Sequence, residues 1–309
     1  ATGVGTTNTI YAGGLTGRHL SSGSITNAYS LGSVDVNGIA VNKYLGGLAG
    51  RNEATISVTY STGRVAQSGT VTNSFAGGLA GSSTTSITNS YWDMDTSLQP
   101  SSAGGGGVSG RNTSAMINAS NYTTGWSITS TPNAGSKLPS STWFIFEGNT
   151  RPMLLSEWSS SISTPHQLQL MGAVLGTNYT LANNIDLTNG MNNKSEVWVT
   201  NQGITSGNGF VPVGNTTNKF TSNFDGQNYY INNLYINRSS TDDVGLIGKL
   251  DSESVYTLKN VGLINANVTG QANVGAFIGY ASNARISSIF VTGSVTGVGG
   301  NFIGGLAGY

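Results

Sequence analysis

The sequence predicts an all-β protein in which short strands stack as a parallel β-solenoid, with one short capping helix near residues 164–175. Three observations lead to this fold class. A glycine motif recurs with a period near thirty residues, and an alternating segment follows it. The composition also disfavours helix, because 45 glycines and abundant Asn, Ser and Thr leave few helix-forming residues. Apolar residues make up 37% of the chain, which is enough for a packed core.

The glycine motif is the first element of each repeat. It reads YAGGLTG, YLGGLAG and FAGGLAG early in the chain, and VGLIG, VGAFIG and FIGGLAG near its end. Its final glycines are spaced by 33 and 31 residues in the first group, and by 31 and 29 in the second. We predict a structural role for the glycines and leucines that recur in this motif. They are Gly13, Gly14, Leu15, Gly17, Gly46, Gly47, Leu48, Gly50, Gly77, Gly78, Leu79, Gly81, Gly245, Gly248, Gly275, Gly279, Gly304, Gly305, Leu306 and Gly308.

These glycines are predicted to form the corners between strands. A corner needs a positive φ and no side chain against the next coil, and glycine meets both needs. Leu15, Leu48 and Leu79 are expected to fill the interior beside the corners. A phosphate cradle is the alternative, but the motif lacks the Lys-Ser/Thr of a P-loop and recurs six times.

An alternating segment, such as SITNAYS from Ser24 and TISVTYS from Thr55, follows each complete motif. Period-two alternation is typical of strands, and a repeat this small can bury its apolar face only by stacking on a neighbour. Some asparagines recur near one position of the repeat and are expected to form an amide ladder along the stack. These asparagines are Asn27, Asn89, Asn260 and the related Asn73.

The period is interrupted in the middle of the chain. SSAGGGGVSG is a flexible stretch, and STWFIFEGNTRPMLLSEW is the densest aromatic segment. The capping helix follows, with Thr164 as N-cap, Pro165 at the first helical position and Gln167 completing a capping box. The predicted domains are solenoid repeats at 1–98, an irregular junction at 99–162 and a second module at 163–309. The aromatic residues Trp143, Phe144, Phe146 and Trp158 are expected to cap a core, with a sugar-stacking platform as the alternative.

Residues that could carry chemistry are few. Asp93 and Asp95 lie two apart, so on one strand they would face the same side and are weak candidates for calcium or for an acid and base pair. His19 and His166 have no second histidine at ligand spacing, and no His-Glu-x-x-His motif occurs. We therefore expect no catalytic residue, no cofactor and no enzyme activity.

Composition excludes several classes of partner. The 13 basic and 13 acidic residues balance, which disfavours nucleic acid and anionic membranes. The chain contains no cysteine, so zinc-thiolate sites and thiol catalysis are excluded, and it has no apolar run long enough to span a membrane. Asn-x-Ser/Thr sequons mark candidate glycosylation sites. These sites are Asn112, Asn118, Asn121, Asn178, Asn193, Asn215, Asn237 and Asn267.

The GGLAG motif followed by SITNSYWDMDTS resembles the GLUG-motif repeats of large bacterial secreted and surface proteins. These include filamentous-haemagglutinin-like adhesins and the non-catalytic parts of immunoglobulin A peptidases. WFIFEGNTRPMLL, ISTPHQLQLM, NYTLANNIDLT and FVTGSVTG are similar to further segments of such modules. The resemblance implies a right-handed β-helix, and the order of its segments implies that this chain is a window from a longer tandem array.

Repeats and resemblance together predict a structural, adhesive extracellular protein that forms a stiff rod or filament shaft at a bacterial surface. Its expected partners are neighbouring copies or further repeats, joined end to end, and host-cell or matrix glycans or proteins. A carbohydrate-binding or carbohydrate-cleaving β-helix is one alternative. The other is a passive stalk that displays a domain encoded elsewhere.

Overall fold

The all-β prediction is confirmed, and the sheets are mainly parallel. The computed structural model describes residues 2–3, 9–204, 206–251 and 253–309, the first two by their backbone alone. The chain divides into two compact units. Unit 1 comprises Ala1–Ser127 with Ser195–Val197, and unit 2 comprises Ile128–Lys194 with Trp198–Tyr309.

Unit 1 is built from short strands that return at the repeat period. Its strands are β1 (Thr2–Gly3), β2 (Thr9–Gly13), β3 (Thr16–His19), β4 (Ser24–Ser30), β5 (Val34–Asn37), β6 (Ala40–Gly46), β7 (Ala49–Asn52), β8 (Thr55–Ser61), β9 (Val65–Ser68), β10 (Val71–Gly77), β11 (Ala80–Ser83), β12 (Ile87–Thr88), β13 (Ser90–Asp93) and β14 (Val108–Arg111).

Strands of successive repeats pair side by side in unit 1. The sheets β2-β6-β10, β3-β7-β11 and β1-β5-β9 are each parallel, and β8 pairs in parallel with β4, β12 and β13. Tyr11 is paired with Tyr44, and Tyr44 with Phe75. Equivalent residues of consecutive repeats therefore occupy equivalent places in the ladder, as expected when repeats stack on their neighbours.

Apolar side chains from different sheets meet in the core of unit 1. Leu48 and Leu79 are fully buried in one cluster, and Val34 and Leu45 in another. The interior position predicted for Leu15 is wrong, since this side chain is 50% exposed. Leu15 joins β2 to β3, which are outer strands of their sheets and pair on one side only.

A left-handed bend recurs in unit 1 within β4, within β8 and between β12 and β13, rather than at the motif glycines. Asn27, Val58 and Asn89 occupy equivalent positions with φ of 52°, 54° and 49°. The positive φ expected at the motif glycines is wrong, because none of them adopts it. Asparagine tolerates this conformation because its short side chain can bond locally. Val58 separates the two asparagines, so the predicted ladder is interrupted there, whereas Asn73 Nδ2 donates to Asn42 Oδ1 at 2.9 Å.

Unit 2 contains both very short and long strands. They are β15 (Ile128–Thr129), β16 (Trp143–Phe144), β17 (Met153–Leu154), β18 (Ser161–Ile162), β19 (Tyr179–Leu181), β20 (Ile185–Asp186), β21 (Phe224–Asp225), β22 (Tyr230–Asn232), β23 (Tyr235–Asn237), β24 (Ile247–Lys249), β25 (Tyr256–Gly270), β26 (Val274–Gly275), β27 (Ile278–Tyr280), β28 (Ala284–Gly297) and β29 (Ile303–Gly304).

The long strands β25 and β28 pair in parallel along most of their length. On its other side β25 pairs with β21, β22 and β23. The motif strands form two further parallel pairs, β24 with β27 and β26 with β29. β16 and β17 differ, since they pair antiparallel within the aromatic segment. Left-handed residues again align between repeats, with Asn260 opposite Ser288.

The expectation of a single helix is wrong. The described residues include four short α-helices, α1 (Met94–Ser97), α2 (Thr113–Met116), α3 (Pro165–Leu170) and α4 (Thr188–Asn192). The 3-10 turns are Gly105–Gly107, Ala119–Asn121, Leu155–Glu157, Met171–Ala173 and Gln202–Ile204. The predicted capping helix is α3 with the 3-10 turn that follows it, and Thr164 accepts from the Gln167 amide as predicted. Gln167 Oε1 accepts from the Ser163 amide, one residue before the N-cap.

Candidate functional site

The motif glycines lie where neighbouring backbone leaves no room for a side chain. A Cβ on Gly46 would stand 2.0 Å from Ala49 O and 2.7 Å from Leu79 O of the next repeat. A Cβ on Gly14 or Gly47 would meet a backbone oxygen of the next repeat at 2.3 or 2.2 Å. Contacts below 3.0 Å also surround Gly13, Gly17, Gly50, Gly77, Gly78, Gly81, Gly245, Gly248, Gly275, Gly279, Gly304 and Gly308. Close approach of the chain, rather than an unusual φ, explains these glycines.

Gly305 is the exception among the motif glycines. A Cβ at this position would meet nothing within 4 Å. Gly305 belongs to the last described repeat of unit 2, where β29 pairs with β26 on one side. The crowding around a motif glycine therefore depends on the neighbouring repeat.

Backbone hydrogen bonds join successive motifs in both directions. The Leu15 amide donates to Leu48 O at 3.0 Å, and the Leu48 amide donates to Leu79 O at 2.9 Å, so these amides donate to the following repeat. In unit 2 the Phe277 amide donates to Leu306 O at 3.0 Å, whereas the Gly308 amide donates back to Ile278 O at 3.0 Å. Neighbouring motifs are therefore joined as in an ordinary parallel ladder.

An aromatic column, defined as Tyr11, Tyr44 and Phe75, runs along the β2-β6-β10 sheet. Its ring centroids are 5.3 and 4.8 Å apart, with interplanar angles of 13° and 7°. The guanidinium groups of Arg18 and Arg51 lie 5.6 and 5.7 Å from the Tyr11 and Tyr44 ring centroids. The stacked rings add to the area buried between repeats, whereas each cation–π contact lies within one repeat.

The predicted pairing of Asp93 and Asp95 on one strand face is wrong. Asp93 ends β13 and is fully buried, whereas Asp95 lies in the first turn of α1. The Asp93 carboxylate accepts from the amides of Asp95 and Thr96 at 3.0 and 3.2 Å, so it is the N-cap of that helix. Thr113 Oγ1 also donates to it at 2.9 Å, and the Thr113 amide donates to Asp95 Oδ2 at 2.8 Å. Both carboxylates therefore connect α1 to α2.

Both histidines contact polar side chains. His19 Nδ1 lies 2.8 Å from Asn52 Oδ1, and His166 Nδ1 lies 2.8 Å from Glu157 Oε2. Over the residues that the structure describes, no three His, Asp or Glu side chains cluster closely enough to hold a metal ion. The His19 contact thus joins β3 to β7 of the next repeat, and the His166 contact joins α3 to the 3-10 turn Leu155–Glu157.

The aromatic segment forms part of a core and one wall of a cavity. Trp143 and Phe144 are buried, and Trp158 Nε1 donates to Tyr179 Oη at 3.0 Å. Phe144 and Phe146 both line a cavity of about 210 Å³ in unit 2, and Phe146 is the less buried of the two. The two rings are in T-shaped contact, with centroids 4.9 Å apart.

Polar groups surround the mouth of this cavity, which we call the Phe146 cavity. Glu147, Asn149, Asn215 and Asn218 line it together with apolar residues. Arg238 lies behind Asn149, and its Nη1 donates to Asn149 Oδ1 at 2.8 Å. Burial lowers the pKa of Arg238 to about 10. An aromatic ring beside amides and a carboxylate is an arrangement that can bind a sugar.

Two carboxylates of unit 2 are held in their ionised form. Hydrogen bonds from Thr188 and nearby asparagines lower the pKa of Asp186, against the effect of partial burial. Partial burial raises the pKa of Asp225, but hydrogen bonds from the Gln227 amide, Asn260 and Lys259 lower it by more. The net result is a pKa below the usual value for aspartate. Asn260 Nδ2 lies 3.0 Å from Asp225 Oδ1, so this contact joins β21 to the paired strand β25.

The sequons differ in exposure. Asn112, Asn118, Asn178 and Asn215 are exposed. Asn121, Asn193, Asn237 and Asn267 are half-buried. The first four are therefore the more accessible acceptors in the folded chain, and glycosylation of any sequon stays a prediction.

Comparison with known proteins gives one partial relative. The chain is 46% identical to Halomucin of Haloquadratum walsbyi (strain DSM 16790 / HBSQ001) over 105 residues, which cover 33% of this chain and 1% of Halomucin. No family model matches the chain, and no solved structure matches it. Helices long and apolar enough to span a membrane are absent from the described residues. The chain is thus similar, over a third of its length, to a small part of Halomucin.

Proposed function

We propose that this chain forms a right-handed parallel β-solenoid of the GLUG-motif type and acts as a structural, adhesive repeat protein in a rod or filament shaft at a cell surface. The observation that carries the proposal is the in-register stacking of Tyr11, Tyr44 and Phe75 across three repeats. Such stacking lets the same side chains recur at each step along the structure. The partial match to Halomucin, a protein named as a mucin, fits a surface or extracellular setting.

The proposed mechanism is mechanical and multivalent. Each repeat buries its apolar face on the next one, so adding repeats extends the structure without a new core. A side chain that recurs on every repeat presents the same contact many times, and weak contacts to host-cell or matrix glycans or proteins can then add up. In this proposal the chain is not an enzyme and uses no cofactor.

Electron microscopy and surface labelling test this function. Antibodies raised against the folded chain should label intact source cells, and the labelled material should be rods or filaments with a regular axial repeat. Labelling that appears only after cell lysis would contradict the surface role. Compact particles with no axial repeat would contradict the shaft.

Truncation of the protein distinguishes a passive stalk from a chain that is itself adhesive. Removing these repeats from the full protein should reduce attachment to glycan-coated surfaces if the repeats themselves adhere. Attachment that survives truncation would assign adhesion to another domain and leave this chain as a stalk.

A second candidate function is glycan binding at the Phe146 cavity. The observation that favours it is the half-buried Phe146 ring, which lines the cavity beside Glu147, Asn149 and Asn218. Phe146→Ala should abolish binding on a glycan array, because it removes the ring on which a sugar would stack. Phe290→Ala, which truncates an exposed ring of β28 in the same unit, is the matched control and should leave binding unchanged. Equal binding by both variants would exclude the cavity.

The carbohydrate-cleaving alternative depends on Asp93 and Asp95 as an acid and base pair, and Asp93 is poorly placed for this role. The Asp93 carboxylate is buried and already accepts three hydrogen-bond donors. It therefore cannot approach a glycosidic bond unless α1 unfolds.

A further inference from the structure

We propose that the Phe146 cavity binds the acetamido group of an N-acetylated amino sugar, with Asn149 as the hydrogen-bond donor and Asn218 as the acceptor. This inference rests on the second candidate function, glycan binding at that cavity, and it names the class of sugar. The cavity of about 210 Å³ is smaller than the roughly 300–1,000 Å³ of pockets that enclose drug-sized ligands. It therefore fits one sugar unit or one side group rather than a long ligand.

Apolar side chains supply several walls of the cavity. A methyl group is stabilised when it leaves water for such a wall, whereas a hydroxyl group loses hydrogen bonds to water there. The apolar lining residues are Pro132, Phe144, Phe146, Leu175, Val211 and Pro212. A ligand with a methyl group therefore gains more from these walls than an unsubstituted sugar does.

Asn149 is held in one orientation beside the Phe146 ring. The Asn149 amide donates to Phe146 O at 2.8 Å, in a turn where Gly148 has a φ of 70°. Arg238 Nη1 donates to Asn149 Oδ1 at 2.8 Å, and a guanidinium group can only donate, so the amide of Asn149 cannot be flipped. Asn149 Nδ2 donates one of its two hydrogens to Glu147 O at 2.7 Å. The second hydrogen remains for a ligand, which must offer an acceptor.

Arg238 acts through Asn149 and is a positioning residue. Its Nη2 is buried and has no hydrogen-bond partner among the described residues, and its Nε lies 3.4 Å from Phe210 O. Burial lowers the pKa of Arg238 to about 10, which still leaves it charged at neutral pH. A buried charge with an unused donor costs free energy, and its shortest side-chain hydrogen bond is the one to Asn149. A charged donor also polarises the amide that it bonds, which strengthens the remaining Nδ2 donor.

Asn218 supplies the second polar group. It is half-buried and lines the cavity, and its side-chain amide makes no hydrogen bond with any residue that the structure describes. The turn that carries it is fixed, because Asn215 Oδ1 accepts from the amides of Thr217 and Asn218 at 2.9 and 2.8 Å. A half-buried amide without a partner is stabilised when a ligand bonds it. Its Oδ1 can accept from an N–H group.

An acetamido group matches these three features together. Its carbonyl oxygen accepts from Asn149, its N–H donates to Asn218, and its methyl group packs against the apolar walls. An acidic sugar fits less well, because the Glu147 carboxylate lines the same cavity and repels a second negative charge. N-acetylated amino sugars are therefore the class that the cavity selects.

Titration with two trisaccharides, followed by nuclear magnetic resonance, tests the inference. Triacetylchitotriose carries acetamido groups where cellotriose carries hydroxyl groups, and the two are otherwise alike. The chain is produced without glycosylation at Asn215, because this sequon lines the same cavity. It should bind triacetylchitotriose about tenfold more tightly than cellotriose, since the acetamido group adds hydrogen bonds and a buried methyl group.

Variants of the polar groups test their assigned roles. Asn149→Asp keeps the shape of the side chain but replaces the free N–H donor by an oxygen, so the preference for triacetylchitotriose should disappear. Arg238→Met should also reduce the preference, and Arg238→Lys should restore part of it because lysine keeps a charged donor for Asn149. Asn301→Asp makes the same charge change at an exposed asparagine of unit 2 outside the cavity. This matched control should bind like the unmodified chain.

Three outcomes would overturn the inference. They are equal affinity for the two trisaccharides, binding of neither, and a preference that Asn149→Asp retains. Circular dichroism of each variant must show an unchanged strand signal, so that loss of binding cannot come from unfolding. The glycan array with Phe146→Ala tests the candidate function separately. If another glycan binds in a Phe146-dependent way while triacetylchitotriose does not bind, the cavity is a glycan site and the acetamido assignment alone is wrong.

Discussion

At the scale of single residues, the motif glycines are defined by what would collide with a side chain. A Cβ on Gly46 would meet backbone oxygens of its own turn and of the next repeat, and neither can move without displacing a strand. Gly46→Ala should therefore lower the free energy of unfolding by about 3 kcal/mol or more, measured by chemical denaturation.

Gly32→Ala is the control for this substitution. A Cβ on Gly32 would meet nothing within 4 Å, and Gly32 is exposed. Its effect should stay within about 0.5 kcal/mol, as for ordinary surface substitutions. Similar destabilisation by both variants would mean that crowding is not the reason for glycine in the motif.

The two leucines Leu15 and Leu48 allow a second comparison at the same motif position. Leu48→Ala should destabilise the chain by about 2–5 kcal/mol, because it opens a cavity in a fully buried cluster. Leu15→Ala should cost less than about 1 kcal/mol, since half of that side chain already faces solvent. Thermal melting of the two variants measures the difference, and equal shifts would contradict the burial seen at these positions.

Asp225 makes stability depend on pH in acid. Its pKa is lower in the folded state than in the unfolded chain, so its contribution is complete above the unfolded value of about 3.9 and is lost as pH falls through the folded value. The contribution should be below about 1 kcal/mol, because the Lys259 partner is well exposed. Asp225→Asn should thus be less stable than the unmodified chain near neutral pH, and the difference should shrink as the pH falls below about 3.9. A constant difference across that range would rule out this carboxylate as the cause.

The left-handed positions show where residue-level prediction from sequence stops. Asn27 and Asn89 were recognisable as recurrent asparagines, and the φ values show that they serve bends instead of a continuous ladder. Val58 at the equivalent position carries no sequence signal for a bend, because β-branched residues disfavour positive φ. The left-handed conformation of Val58 therefore depends on the pairing of β8 with the strands on either side of it.

At the scale of elements, α1 depends on its cap more than on its length. It has four residues, too few for a helix to be stable by itself, and Asp93 supplies the acceptor for its first amides. Asp93→Ala should lower the free energy of unfolding by about 1–2 kcal/mol, since it removes the cap and the acceptor for Thr113. Chemical denaturation measures the loss.

Added calcium distinguishes the capping role of Asp93 from the alternative, a calcium site formed by Asp93 and Asp95. Added calcium should not change the melting temperature of the unmodified chain, because both carboxylates already accept hydrogen bonds from α1 and α2. A rise in melting temperature that disappears in Asp93→Ala would establish a metal site in place of a cap.

The elements divide clearly into those that sequence could predict and those that it could not. The motif strands and α3 were predictable, because period, alternation and capping residues are local signals. The helices α1, α2 and α4 were not, since four or five residues show no helical period. The Phe146 cavity could not be predicted from the sequence either, because Phe146, Asn218 and Arg238 are far apart in sequence and come together only through the fold of unit 2.

At the scale of the whole molecule, the paired register of unit 1 predicts which deletions are tolerated. Gly46 pairs with Gly77 in the parallel ladder, so removing residues 46–76 joins two equivalent positions. This deletion should leave a folded, cooperatively melting chain, because the neighbouring repeats can stack in the same register. Removal of residues 46–60 joins unlike positions and should abolish cooperative melting. Differential scanning calorimetry of the two deletions checks the prediction, and equal tolerance of both would contradict stacking in register.

The hydrogen bonds that join successive motifs have a consequence for a chain under tension. A force that pulls neighbouring repeats apart acts at the same time on all the hydrogen bonds between those two repeats. Successive boundaries between repeats carry the same force one after another, in series. The weakest boundary then opens first, and the released segment lengthens before the next one yields. A segment such as residues 44–74 would release roughly 100 Å of extended chain. Such a tether dissipates sudden loads in discrete steps, as a shock absorber does, and shortens again when its repeats restack.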